Sequence, residues 1–117
     1  MFVTIELSAN LSRGTVVQYD NSSQKFVPAS SLTYPLGVII REPEQDAETQ
    51  VWSTRACFAG VCYALANSSI VDEGGPLSVV SGKVEVGTVE SAAGVISPIS
   101  RGDSSRNAGD LVMIYLR

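Results

Sequence analysis

The sequence contains no histidine. That removes the commonest general base and metal ligand, and with it every Ser–His or Cys–His nucleophile pair. It holds two cysteines, Cys57 and Cys62, too few for a structural zinc site. Within one strand, residues an odd number apart point to opposite faces, so these two would not bridge and read as small buried thiols of a reducing compartment. Charged residues make up 17%, below the ~25% of typical soluble domains. Part of the surface must therefore be Ser, Thr, Gly or apolar area awaiting a partner. Basic runs are missing as well: the eight Lys and Arg stand singly, and the net charge of −4 argues against a grip on nucleic-acid phosphates. No stretch approaches the ~18 apolar residues of a membrane span. Met1 leads into Phe2-Val3-Thr4-Ile5-Glu6 without the basic and long apolar regions of a signal peptide. Neither Gly-x-Ser-x-Gly nor a P-loop occurs, since Ser81-Gly82-Lys83 lacks the upstream glycine and the following Ser or Thr. The inventory leaves little for chemistry, and the expectation is a protein that is not an enzyme and takes no cofactor and no metal.

What the chain has in quantity is β-branched side chains. Val, Ile and Thr total 28 against 8 Leu, which favours strands, because these side chains pack well on a pleated surface and lose rotamer freedom in helices. They come in turn-then-strand phrases: Gly14-Thr15-Val16-Val17-Gln18-Tyr19, Gly74-Gly75-Pro76-Leu77-Ser78-Val79-Val80, and Ala108-Gly109-Asp110 before Leu111–Leu116. Residues 2–8 alternate strictly, with Val3, Ile5 and Leu7 on one face and Phe2, Thr4, Glu6 and Ser8 on the other, the pattern of a half-buried strand. Asp20 to Ser23 predicts a tight turn that returns Lys25–Val27 as a hairpin partner. Leu36–Ile40 reads as a short buried strand, and Ser81-Gly82 as a two-residue hairpin turn between Leu77–Val80 and Lys83–Val86. In that hairpin Lys83 and Glu85 are expected to face water and Val84 and Val86 to point inward. Ala56–Ala64 is ambiguous around Gly60, which suggests a bulge or close backbone approach, and Leu65–Val71 allows a short helical turn. Pro98 places the strand from Ala92 to Ile99 on an edge. About nine short strands in 117 residues predict a mainly β fold, a compact antiparallel barrel or sandwich with at most one or two short helical turns. The organisation expected is an N-terminal strand or arm over 1–12 and a single β-rich domain over 13–117.

The sequence features that invite a function also have plain readings. Glu42, Glu44, Asp46 and Glu48 beside Pro43 form an acidic loop, read as solvated because a cation loop adds glycine and a fixed ligand spacing. Arg101-Gly102-Asp103 is an adhesion tripeptide on paper, but its Ser- and Gly-rich surroundings favour turn chemistry. Trp52 is the single Trp; it suits core burial first and an interface anchor second. The strand Phe2–Leu7 has two options, pairing within its own sheet or lying along the edge of another protein.

Taken in order, Gly14-Thr15-Val16-Val17, Pro35-Leu36-Gly37-Val38-Ile39, Val51-Trp52-Ser53, Phe58-Ala59-Gly60-Val61, Gly75-Pro76-Leu77-Ser78-Val79 and Ala108–Leu116 resemble the small capsid decoration, or cement, proteins of tailed bacteriophages. Those proteins share a β-rich fold called a β-tulip. The likeness spans most of residues 14–116; the acidic loop 42–48 and the irregular stretch from Ser91 to Asn107 depart from it. The resemblance implies a homotrimer on the outer surface of an expanded head, made in the host bacterial cytoplasm and carried in the virion. There it would bind the major capsid protein, with no direct contact to nucleic acid or membrane. The capsid-binding role would fall to Phe2, Val3, Thr4, Ile5, Glu6 and Leu7, and Trp52 and Phe58 are the candidate oligomer contacts. The competing class is a carbohydrate- or receptor-binding β-domain of a phage fibre or surface protein, which predicts exposed aromatics around a groove.

Overall fold

The computed structural model describes residues 2–30, 36–70, 77–86, 96–98 and 107–116. Among them are eleven strands and no helix: β1 (Phe2–Leu7), β2 (Val16–Asp20), β3 (Lys25–Pro28), β4 (Leu36–Ile39), β5 (Glu44–Gln45), β6 (Trp52–Cys57), β7 (Gly60–Leu65), β8 (Leu77–Val80), β9 (Lys83–Val86), β10 (Ile96–Pro98) and β11 (Leu111–Leu116). The Arg101-Gly102-Asp103 triplet and the Gly74-Gly75-Pro76 turn lie outside the described residues.

Five strands close a barrel in the order β1-β3-β2-β4-β6, and β6 returns to β1. Two-residue β5 adds to the far edge of β6 through Glu44↔Ser53 and Gln45↔Trp52, so the exposed acidic loop carries a short strand that its charge concealed. Each barrel strand sends alternate residues inward. Ile5, Leu7, Val17, Ile39 and Ala56 form a buried cluster, joined by the half-buried Leu11, Phe26, Trp52 and Phe58. The barrel is antiparallel except at one seam, where β1 meets β3 in parallel at Leu7↔Phe26.

The opposite faces of β2, β4 and β6 carry Val16, Leu36, Val38 and Cys57 into a second, larger core. That core is closed by a three-stranded sheet in the order β10-β11-β7 and by the β8–β9 hairpin, which contribute Cys62, Ala64, Leu77, Val79, Val84, Val112, Ile114 and Leu116. The architecture is thus a barrel with a small sheet and a hairpin laid over one side. Burying each of the Val, Ile and Leu side chains among these stabilises the fold by roughly 1.5–3 kcal/mol.

Local chemistry explains the corners. Ser81 and Gly82 both have positive φ, 47° and 80°, as a type I′ hairpin turn requires. In the β2–β3 turn, the Asp20 carboxylate accepts the Ser23 hydroxyl at 2.8 Å and the amides of Ser22 and Ser23 at 3.4 and 3.3 Å. At Gly37 a Cβ would stand 2.8 Å from the Phe58 ring, so the bare backbone there is what admits that ring to the barrel.

Three expectations need correction. Among the described residues after Leu65 no helical turn forms; Ala66 instead bridges Val84 in parallel. Val86 is exposed rather than inward-facing, because β9 ends as it leaves the core. The two-sided apolar pattern of Leu111–Leu116 predicts a central strand covered on both faces, yet Tyr115 on its outer face is exposed.

Candidate functional site

Of the two pairings open to Phe2–Leu7, the structure has the internal one. All six residues register antiparallel with β6, from Phe2↔Cys57 to Leu7↔Trp52. Ile5 and Leu7 are inside the barrel, 6% and 1% exposed, so a capsid contact through either would require the barrel to open. Phe2, Val3, Thr4 and Glu6 remain exposed, and the Arg55 guanidinium donates to the Phe2 carbonyl at 3.4 Å. The six residues expected to act as one binding arm are therefore divided: Ile5 and Leu7 are structural, the pleat turns Phe2, Thr4 and Glu6 outward, and Val3 stays exposed although it shares the face of Ile5 and Leu7.

Trp52 and Phe58, the residues expected at the oligomer contact, both pack half-buried against the barrel cluster. Phe58 stacks edge-on with Phe26 at 5.6 Å, and Phe26 in turn with Tyr19 at 5.4 Å. These rings border a cleft of about 480 Å³ along the β1–β3 seam, where Val3 and Ile5 form the opposite wall. The cleft exists because β3 pairs with β1 at Leu7 and, among the described residues, at no position nearer Phe2.

The larger apolar surface is elsewhere. β7 and β11 pair antiparallel over six positions, and the register puts Leu65 opposite Leu111, Tyr63 opposite Met113 and Val61 opposite Tyr115 on one face. The alternate set faces the core: Ala64 opposite Val112 and Cys62 opposite Ile114. None of the six residues of that face is charged, and one of them, Met113, is itself buried. Val61, Tyr63 and Tyr115 are 52%, 54% and 45% exposed, whereas Leu65 and Leu111 are half-covered by the turn at Gly14. There the backbone comes so close that a Cβ on Gly14 would lie 2.6 Å from Leu111 Cδ2. Phe2, 56% exposed, extends the apolar surface across an open pocket of about 520 Å³ shared with Arg13, Ile40, Val61, Tyr63 and Leu111. The sequence signal for this face was the two-sided apolar pattern of Leu111–Leu116, which reads as central burial until the neighbours of the strand are known.

Chemistry-bearing groups are sparse around these surfaces. Among the described residues no group of three or more His, Cys, Asp and Glu is placed to hold a metal ion, and no helix is long and apolar enough to cross a membrane. In the acidic loop Asp46 is a turn former, accepting the amides of Glu48 and Thr49 at 2.8 and 2.9 Å. Its carboxyl is held below the ordinary range, first by the Thr49 amide and then by that of Glu48. The Asp20 carboxyl is lowered in the same way, chiefly by the Ser23 hydroxyl.

Compared with family models, curated proteins and solved structures, the chain finds no match.

Proposed function

We propose that the protein is a structural component that self-associates, and that its role is that of a head decoration protein: a homotrimer bound to the major capsid protein on the outer surface of an expanded phage head. The observation that carries the self-association is the uncharged outer face of β7 and β11, with Val61, Tyr63 and Tyr115 about half exposed. A monomer that leaves such a face to water forgoes the stabilisation of burying it, and contiguous apolar surface of this kind marks protein contacts. The capsid identity rests on the resemblance of the turn-and-strand phrases. The all-β architecture is compatible with it, and the low charge suits a surface meant to be covered.

This reading moves the trimer contact from Trp52 and Phe58, whose rings are engaged with the barrel, to the β7–β11 face. Shell binding then belongs to the accessible residues Phe2, Val3, Thr4 and Glu6, presented three times over by the trimer. Three linked weak contacts raise the effective concentration of each and lengthen residence on the shell.

Sedimentation equilibrium of the purified chain tests the first half: a trimer is expected, and a monomer at micromolar concentration would overturn it. Co-sedimentation with expanded, undecorated heads tests the second, with binding expected to weaken on Thr4→Pro.

One observation favours the alternative class. Phe2 and Tyr63 stand exposed around an open pocket, as a glycan or receptor site would have them. The rest of that wall is apolar, Ile39, Ile40, Val61, Cys62 and Leu111, with Arg13 as the one charged residue among the described residues. A sugar needs several placed polar partners, so the pocket suits a protein side chain better. Specific binding on a glycan array, lost on Tyr63→Ala, would reverse that preference.

A further inference from the structure

The two cysteines, five positions apart, do not share a strand. Cys57 ends β6 in the barrel wall and Cys62 lies in β7 of the overlying sheet. Between them Phe58 and Ala59 leave the strand, and Gly60 turns the chain at φ 100°, which resets the alternation that would otherwise send the side chains to opposite faces. Both thiols consequently enter the same core cluster. Cys57 donates to the Ala59 carbonyl at 3.1 Å, and the two thiols lie in that cluster within electrostatic reach of each other. Both are free thiols in this structure.

We propose that Cys57 and Cys62 form a redox-closed staple: a disulfide, made by exchange with a small-molecule disulfide, that fastens the barrel strand β6 to the sheet strand β7. Cys62 is the entry point, because it also lines the open pocket beside Phe2 and Tyr63, whereas Cys57 is fully buried. The Cys62 thiolate attacks one sulfur of the disulfide, whose S–S bond breaks and releases one thiol. The Cys57 thiolate then attacks the Cys62 sulfur, the protein S–S bond forms, and the second thiol departs. Two protein thiols are oxidised, one small disulfide is reduced to two thiols, and the two protons pass to the leaving sulfurs.

The first step is slow and the second fast. Burial, followed by the neighbouring Cys57, pushes the Cys62 thiol up to about 12, and the thiolate is the attacking species. Once the mixed disulfide exists, the resolving thiol is held in the same core cluster, five residues away in the chain. A disulfide across this corner restrains a short loop, so its effect is moderate: a rise in Tm of about 5–10 °C. If the protein is a shell component, the staple would close as particles pass from a reducing cell interior to oxidising surroundings. That consequence rests on the capsid reading; the disulfide does not.

The test is oxidised glutathione added to the folded protein, followed by intact-mass measurement after acid quench. The expected product is monomeric by non-reducing gel and lighter by two hydrogens, with the loss mapped to the peptide between Arg55 and Lys83. The Tm should rise and return to its starting value with dithiothreitol. Formation should accelerate between pH 7 and pH 9, roughly tenfold per unit while thiolate is scarce. A Cys57→Ser variant should stop at a glutathione adduct on Cys62. Stable glutathione adducts in the wild type, or crosslinked dimers, would overturn the proposal. So would failure to lose two hydrogens both in native buffer and after refolding in oxidised glutathione.

Discussion

β1 and β11 are the same length, and each pairs antiparallel over six residues with its neighbour, β6 for one and β7 for the other. They differ in what lies behind the pleat. β1 turns Ile5 and Leu7 into the barrel and leaves Thr4 and Glu6 in water, so from Thr4 onward its two faces have found the environments they suit, and only Phe2 and Val3 at its start are exposed apolar residues. β11 turns Val112, Ile114 and Leu116 into the core, but on its other face only Met113 is buried, while Leu111 is half-covered and Tyr115 is exposed. The first strand is finished within the chain, and the second is half-finished. A free-looking strand thus proves structural, while the strand with the most core-like sequence presents the better contact surface.

The most severe way to probe this contrast is charge inside β1. Ile5→Asp places a carboxylate in the barrel interior, opposite Thr54, where an unpaired charge costs several kcal/mol, comparable to the whole stability of a small domain. Loss of the fold by circular dichroism is expected; a folded variant with unchanged Tm would mean that β1 is not part of the barrel wall. The matching change on β11, Tyr115→Asp, should leave the Tm of the monomer within a few degrees while shifting the sedimentation equilibrium from trimer to monomer. Unfolding there would show that the outer face is needed by the chain itself.

A smaller effect is expected at the barrel's aromatic contact. Gly37→Ala puts a methyl 2.8 Å from the Phe58 ring and should cost about 1–3 kcal/mol in chemical denaturation. In a Phe58→Ala background the same substitution should cost much less, and equal costs in the two backgrounds would remove Phe58 from the account. The smallest effect is electrostatic. Asp20 and Asp46 have carboxyls lowered in the folded state by turn hydrogen bonds. Their contribution is therefore present above the unfolded carboxylate range near 3.8 and is lost as pH falls through the folded value. Tm should decline below pH 4, and Asp46→Asn, which keeps an acceptor for Glu48 and Thr49, should flatten part of that decline.

The strands were legible because alternation and turn chemistry are local. Phe2–Leu7, the β2–β3 hairpin and the Ser81-Gly82 turn can each be read from a few adjacent residues. Which strands pair across long stretches of sequence was not legible. The partner of β1 begins at Trp52 and that of β7 at Leu111, and no short window holds both members. That gap is why the sequence left two options open for residues 2–7, internal pairing or an arm, and why it could not say what surrounds Trp52 and Phe58, which pack half-buried against the barrel cluster. Cys57 and Cys62 show the same limit at shorter range, where one glycine with positive φ cancels a parity argument that assumes continuous strand. Gly37 left a weak signal, a glycine within an apolar run, but the ring above it comes from a residue beyond the next strand.

The distant pairing of β1 also has a history in the life of each chain. During synthesis Phe2–Leu7 leaves the ribosome long before Trp52–Cys57, while the β2–β3 hairpin can close at once. Contacts so far apart in sequence form late and slow folding. For that interval β1 is an alternating apolar strand with no partner, open to pairing with a neighbouring nascent chain or to capture by a holdase chaperone. A permuted chain in which β6 immediately precedes β1 would fold faster and aggregate less when expressed at high level.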